Sequence, residues 1–309
     1  MRYREGADVD TSGVQDRRGG GGGRGGGRGL AVGGGGLGVV GLIVVVLFQV
    51  LGGGGGGGGG SSAGLSDVLG GLQQGQTADN TDLEAACQDG ADANSSVDCA
   101  TAANIDSIQD YWEQTLEGYV RTDTVFFSDQ VQTRCGGATS GSGPFYCPAD
   151  QLVYIDLSFF DDLQSRFGAE GGLFVNAYVI AHEYGHHVQN LLGTNAQVQP
   201  GETGPTSGTV RLELQADCYA GTWANHAETV PDASGQPLIA EITQADIDGA
   251  LDAAGRIGDD FIQTELGGGT VDQDAFTHGS SEQRQRWFTT GYQSGDPNAC
   301  DTFGTDDLG

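Results

Sequence analysis

The chain has 309 residues, 57 of them glycine, and its 13 basic residues face 42 acidic ones for a net charge of −29. A field of that sign repels phosphate backbones, which excludes nucleic acid as a partner and leaves a solvated acidic surface. The first 60 positions hold 26 of the glycines, so they are read apart from the remainder, which is long enough to bury a core.

Residues 1–29 are rich in Arg and Gly and lack apolar periodicity, so a disordered cytoplasmic tail is expected. Residues 30–51 carry no charge and include the aliphatic run Leu37–Phe48. Their length matches a bilayer core crossed at about 1.5 Å per residue, so they read as a single transmembrane helix. A cleaved signal segment is the alternative, and both readings imply export. Arg17, Arg18, Arg24 and Arg28 precede the segment, and the next positive charge is Arg121. That asymmetry keeps the N-terminus cytoplasmic and sends the C-terminal part outside. Residues 52–82 read as a flexible Gly-rich linker.

Residues 83–309 carry the signals of one α+β domain. Ile105, Ile108, Trp112, Leu116 and Tyr119 recur at helical spacing and predict a helix over 104–119. Residues 125–127 and 151–160 are β-branched and aromatic and predict strands. A helix is predicted over 173–191, with Gly193 as its stop, and another over 209–227. Thr243 with Asp246 marks a helix start, and a last helix is predicted over 280–291.

Six cysteines, Cys87, Cys99, Cys135, Cys147, Cys218 and Cys300, form no C-x-x-C pair, which argues against a thiolate zinc or redox site. An even number beyond an export segment argues for disulfides. Sequence alone cannot choose among the 15 connectivities of six cysteines. Two local loops of equal spacing suggest Cys87–Cys99 and Cys135–Cys147, which leaves Cys218–Cys300.

Residues 182–186 read His-Glu-Tyr-Gly-His inside a predicted helix. One helical turn separates His182 from His186, so both imidazoles can take corners of one tetrahedral zinc. Glu183 then stands where a general base must stand. A catalytic zinc needs a third protein ligand and an open position. Gln189 and Leu192 occupy the places where a metzincin has glycine and a third histidine, so that family is excluded. The remaining source is a second helix. Glu213 and Asp217 lie one turn apart in Glu-Leu-Gln-Ala-Asp, so Glu213 can ligate while Asp217 holds the other nitrogen of a ligand histidine.

H-E-x-x-H followed by E-x-x-A-D resembles the gluzincin signature of HtpX-like and CAAX-prenyl-protease-like metallopeptidases. The strings A-H-E-Y-G-H-H-V-Q, R-L-E-L-Q-A-D-C-Y-A-G and F-T-H-G-S-S-E-Q-R resemble the YpfJ-type neutral zinc metallopeptidases, over about residues 85–303. That resemblance implies a zincin-like fold with an active-site helix, a glutamate helix and a small sheet with an edge strand. It also implies one Zn2+ per chain and a peptide or protein substrate. In HtpX-like enzymes a histidine follows the glutamate helix with an arginine six residues on, and His278 and Arg284 have that spacing. His278 is thereby implied as the oxyanion-stabilising catalytic group, and Arg284 either positions His278 or pairs with an acid. The family pattern has proline after that histidine, where this chain has Gly279. The strand 151–160 is a candidate edge for pairing an extended peptide. Two other readings share these residues: an inactive zinc-binding envelope scaffold, and a zinc amidase acting on wall peptides.

Overall fold

The computed structural model describes residues 1–18, 78–199 and 201–309. Its elements in chain order are β1 (Arg2–Tyr3), β2 (Val14–Asp16), α1 (Thr81–Ala86), α2 (Gly90–Ala93), α3 (Val97–Thr115), β3 (Thr124–Phe126), β4 (Gln130–Thr133), β5 (Gly136–Thr139), β6 (Phe145–Cys147), β7 (Leu152–Ile155), α4 (Phe159–Ser165), α5 (Leu173–Leu192), α6 (Gly208–His226), β8 (Ile239–Glu241), α7 (Gln244–Arg256) and α8 (Ser281–Ser294). The main sheet has the order β2-β3-β7-β6. Its first three strands are parallel, and β6 runs antiparallel to β7 at one edge. The mixed α and β content agrees with the α+β class read from the sequence.

The helices begin and end where local chemistry dictates. The Ser96 hydroxyl caps α3 by accepting from the Cys99 N–H, which starts the helix seven residues ahead of its apolar periodicity. Capping boxes open α7 at Thr243 and α8 at Ser280. Gly193, at φ +73°, closes α5.

The predicted strand 151–160 is shorter and differently placed. Asp156 accepts from the N–H groups of Ser158 (3.0 Å) and Asp129 (3.1 Å), a turn that stops β7 at Ile155 and leaves Phe159 and Phe160 to α4. β7 is flanked on both sides, so the sheet edge belongs to β6 instead.

Residues 1–18 correct the expectation of a disordered tail. β1 pairs with β8, and β2 extends the main sheet beside β3. Tyr3 is wholly buried, its hydroxyl 2.8 Å from Asn104 Oδ1 and 3.1 Å from the Ala100 carbonyl. Arg18 pairs with Asp98 (2.8 Å) and lies over the Phe126 ring. The segment carries four arginines and four acidic residues, so its docking rests on buried side chains and on the sheet edge that β3 offers rather than on net charge. The chain re-enters beside its point of departure. Asn80 accepts from the Asp16 N–H (2.9 Å) and donates to the Val14 carbonyl (2.6 Å), and the Asp79 N–H donates to the Asp16 carbonyl (2.9 Å). Asp79 and Asn80, ahead of the expected boundary at Leu83, are thus already part of the fold.

Among the described residues no helix is long and apolar enough to cross a membrane, and the expected anchor, 30–51, lies outside them, as does most of the expected linker. The three disulfides are Cys87–Cys99, Cys135–Cys147 and Cys218–Cys300, the pairing that the spacing suggests. The last fastens the C-terminal tail to α6.

If residues 1–18 are part of the core, Tyr3→Ala should lower unfolding stability by about 3–5 kcal/mol, as for other large buried aromatics. Denaturant melts of the full chain measure this; an unchanged midpoint would restore the free tail.

Candidate metal centre

The centre forms where α5 crosses α6. Gly185 has no side chain because a Cβ there would sit 2.9 Å from Ala216 Cα and 3.1 Å from its carbonyl oxygen. Two small residues thus let the helix backbones approach. That approach carries Glu213 of α6 to the histidines of α5. His182 Nε2 lies 3.1 Å from Glu213 Oε2, and His186 Nε2 lies 3.6 Å from Glu213 Oε1. One ligand atom from each of the three lies within 4.8 Å of the others, a group that could hold a metal ion.

Behind the trio stands Asp217. It has no exposed surface and accepts from His182 Nδ1 (2.9 Å), the Tyr178 hydroxyl (2.6 Å) and Arg284 Nε (2.8 Å) and Nη2 (3.0 Å). Burial alone would raise the Asp217 pKa, but Arg284 and His182 outweigh it and hold the carboxyl at about 2. Burial opposes charge on His182, yet Asp217 and Glu213 push its pKa above the ordinary value. In the metal-free protein a proton on His182 stands between two carboxylates, and a divalent ion would take its place. Burial raises the Glu183 pKa, partly offset by the two imidazoles beside it.

His278 is brought to the same cleft by a loop wrapped around one carboxylate. Asp259 Oδ2 accepts three backbone N–H groups, from Thr277 (2.7 Å), His278 (2.7 Å) and Gly279 (3.0 Å). Asp259 Oδ1 lies 3.2 Å from His278 Nδ1. Burial opposes protonation of His278, and its hydrogen bond to Asp259, with the charges of Glu213 and Asp259, more than compensates, raising its pKa. This geometry explains Gly279. Its φ is +91° and its N–H is used, and proline permits neither.

Of the two roles open to Arg284, it takes the pairing with an acid, Asp217. The remaining histidines are structural. His187 is buried between the Tyr146 hydroxyl (3.0 Å) and the Val120 carbonyl (2.7 Å), and His226 meets the Gly295 carbonyl (3.0 Å) and stacks on Tyr111. Tyr184 points away, with its hydroxyl on Thr124 (3.0 Å).

A cleft over these groups is walled by Phe145, Phe159, Phe167, Val179, Ile257 and Ile262, with Glu183 and His278 also at its surface. Sequence reasoning missed Asp259, which no motif spacing marks. It also missed the link from Tyr178 to Asp217, for which helical position 178, one turn before His182, was an available signal.

The profile of the family described as "putative neutral zinc metallopeptidase" matches residues 1–303. The uncharacterized protein Rv2575 of Mycobacterium tuberculosis is 51% identical over 224 residues, which cover 72% of this chain and 76% of that protein. The uncharacterized protein YpfJ of Escherichia coli is 43% identical over 213 residues, covering 66% and 70% respectively. No solved structure matches the chain.

Arg284→Met would leave Asp217 buried without its cation, a loss of about 3–5 kcal/mol. Asp217 has a folded pKa below its unfolded value near 4. Its contribution is therefore complete above about pH 4 and is lost as the pH falls towards 2. Melts of wild type and Arg284→Met across that window should show the gap closing with acid; a gap constant with pH would contradict the assignment.

Proposed function

The chain belongs to this neutral zinc metallopeptidase family, and from that premise we propose that it hydrolyses peptide bonds with one zinc ion held by His182, His186 and Glu213. The observation that carries the reading is the convergence of these three side chains with Glu183 in one cleft. Two imidazoles and a carboxylate, with a cleft beside them for a fourth position, form the donor set of a catalytic zinc site. The fit extends outward, since each histidine has a hydrogen-bond acceptor at Nδ1 and so keeps Nε2 for a metal.

When bound, zinc supplies Lewis acidity that lowers the pKa of a coordinated water from 15.7 to about 7. Glu183 accepts the proton of the attacking water and delivers it to the leaving amine, a task that its raised pKa suits. His278, with Nδ1 held by Asp259, presents its other nitrogen to the carbonyl oxygen as negative charge develops there. Arg284 and Tyr178 hold Asp217, and Asp217 holds the ring of His182. An extended substrate pairs with β6, the edge strand, whose Phe145 and Tyr146 line the cleft. Retention of Glu183 favours an enzyme over an inactive scaffold.

The same proposal places the domain in an oxidising compartment beyond the cytoplasmic membrane, supported by three disulfides. The hydrogen bonds joining Val14–Asp16 to Asp79–Asn80 support a topology with residues 1–18 on the same side as the domain. In this reading the docked N-terminal segment shares a compartment with the domain.

Purified full-length protein should contain about one zinc per chain. Glu213→Ala should lose it, while Glu183→Gln should keep it and lose casein cleavage by about 10²–10⁴-fold. Absence of zinc from folded, disulfide-intact protein would refute the site. Labelling of single cysteines introduced at Gly6 and Glu282 in intact cells should give the same sidedness for both. Opposite sidedness would return the N-terminus to the cytoplasm.

A further inference from the structure

His186 is the ligand histidine with no carboxylate at its Nδ1. That nitrogen lies 2.9 Å from Oε1 of Gln189, a wholly buried side chain one turn further along α5. Gln189 Nε2 donates to the Leu212 carbonyl (2.7 Å) and to Gln215 Oε1 (3.2 Å), both on α6. Gln215 Nε2 in turn donates to the Cys300 carbonyl (2.9 Å) in the C-terminal tail, which the Cys218–Cys300 disulfide fastens to the same helix.

The direction of this relay follows from its ends. A backbone carbonyl only accepts, so the Cys300 carbonyl must face the NH₂ of Gln215. Gln215 then offers its oxygen to Gln189. The Leu212 carbonyl independently demands the NH₂ of Gln189. Two acceptors therefore turn the Gln189 amide so that its oxygen faces His186. An oxygen at that place requires His186 to carry its proton on Nδ1, which leaves the lone pair on Nε2, the nitrogen facing Glu213.

We propose that Gln189, oriented by Gln215 and by the Leu212 and Cys300 carbonyls, is the positioning residue that fixes the metal-binding tautomer of His186, so that zinc affinity depends on an amide relay ending at the C-terminal tail. The inference rests on the zinc site proposed above. It extends that site to residues that touch neither metal nor substrate. It also gives the two histidines unlike supports, an ionised carboxylate for His182 and a neutral amide relay for His186.

The test uses the full-length chain as wild type, Gln189→Met and Gln215→Met. Two readouts separate positioning from folding. The first is zinc affinity by chelator competition, expected to weaken by about 10–100-fold in Gln189→Met. Gln215→Met should weaken it less, and the double variant should lose less than the two single effects combined, because one relay carries both. The second is the tautomer itself, read from ring-nitrogen shifts of ¹⁵N-histidine-labelled, metal-free protein at a pH where His186 is neutral. Wild type should show His186 protonated on Nδ1, and Gln189→Met should show that preference lost. Near-native zinc affinity in Gln189→Met, or an unchanged tautomer, overturns the inference while leaving the zinc site standing. Wild type that keeps the Nδ1 tautomer but binds no zinc refutes the site reading, and with it the role of the relay in affinity.

Discussion

Asp217 carries negative charge at a position from which water is excluded, and isolated burial of a carboxylate costs several kcal/mol. The charge persists because α5 and α8 supply everything that neutralises it: Tyr178 and His182 from one, Arg284 from the other. Asp217 itself stands on α6. Three helices are thus fixed to one another at a point, and the glycines between them read as consequences. Gly185 meets Ala216 across the α5–α6 crossing, while Gly221 and Gly291 face the opposite backbones where α6 meets α8. A larger residue at any of these would push a helix outward and strand the carboxylate. Close backbone approach and charge neutralisation therefore require each other, and the metal centre occupies the crossing that they produce.

The functional imidazoles share one device with three different acceptors. Asp217 takes the Nδ1 side of His182, Gln189 that of His186 and Asp259 that of His278. The choice of acceptor suits the work of each ring. The carboxylate of Asp259 favours a charged His278, which suits a donor to a developing oxyanion. A neutral amide adds no charge to a cage that already contains Glu213 and neighbours Glu183. Asp217 does bring a charge, and Arg284 offsets it.

Much of this centre was legible in the sequence, for identifiable reasons. His182, Glu183 and His186 stood out because metal-ligand spacing and helical apolar periodicity coincided on the same residues. Glu213 and Asp217 followed because a helix places i and i+4 on one face. The disulfides were legible because two short loops of equal length removed most of the ambiguity. Asp259 was not, because it acts on backbone N–H groups 18 to 20 residues away and needs no particular side chain at Thr277 or Gly279. Gln189 was noticed only as the residue standing where another family has glycine. The edge strand was misassigned because β6 and β7 are three and four residues long, too short for alternation to tell inner from outer.

The N-terminal segment shows why composition misleads when averaged over a window. Residues 1–29 have the Arg and Gly content of a tail, yet the glycines concentrate beyond residue 18 and the first 18 hold Tyr3, Val9 and Val14, all buried. Strands of two and three residues generate no period, so only the partner surface reveals them. Their docking has a consequence larger than the few contacts involved. The charge asymmetry around residues 30–51 treats the two flanks as separate segments. Here the flanks are joined by the Asn80 side chain and the Asp79 N–H, which hold Val14–Asp16 in the sheet. β2 lies against β3, and Tyr3 lies beneath α3. In the folded domain the sheet holds residues 1–18 against β3 and β8.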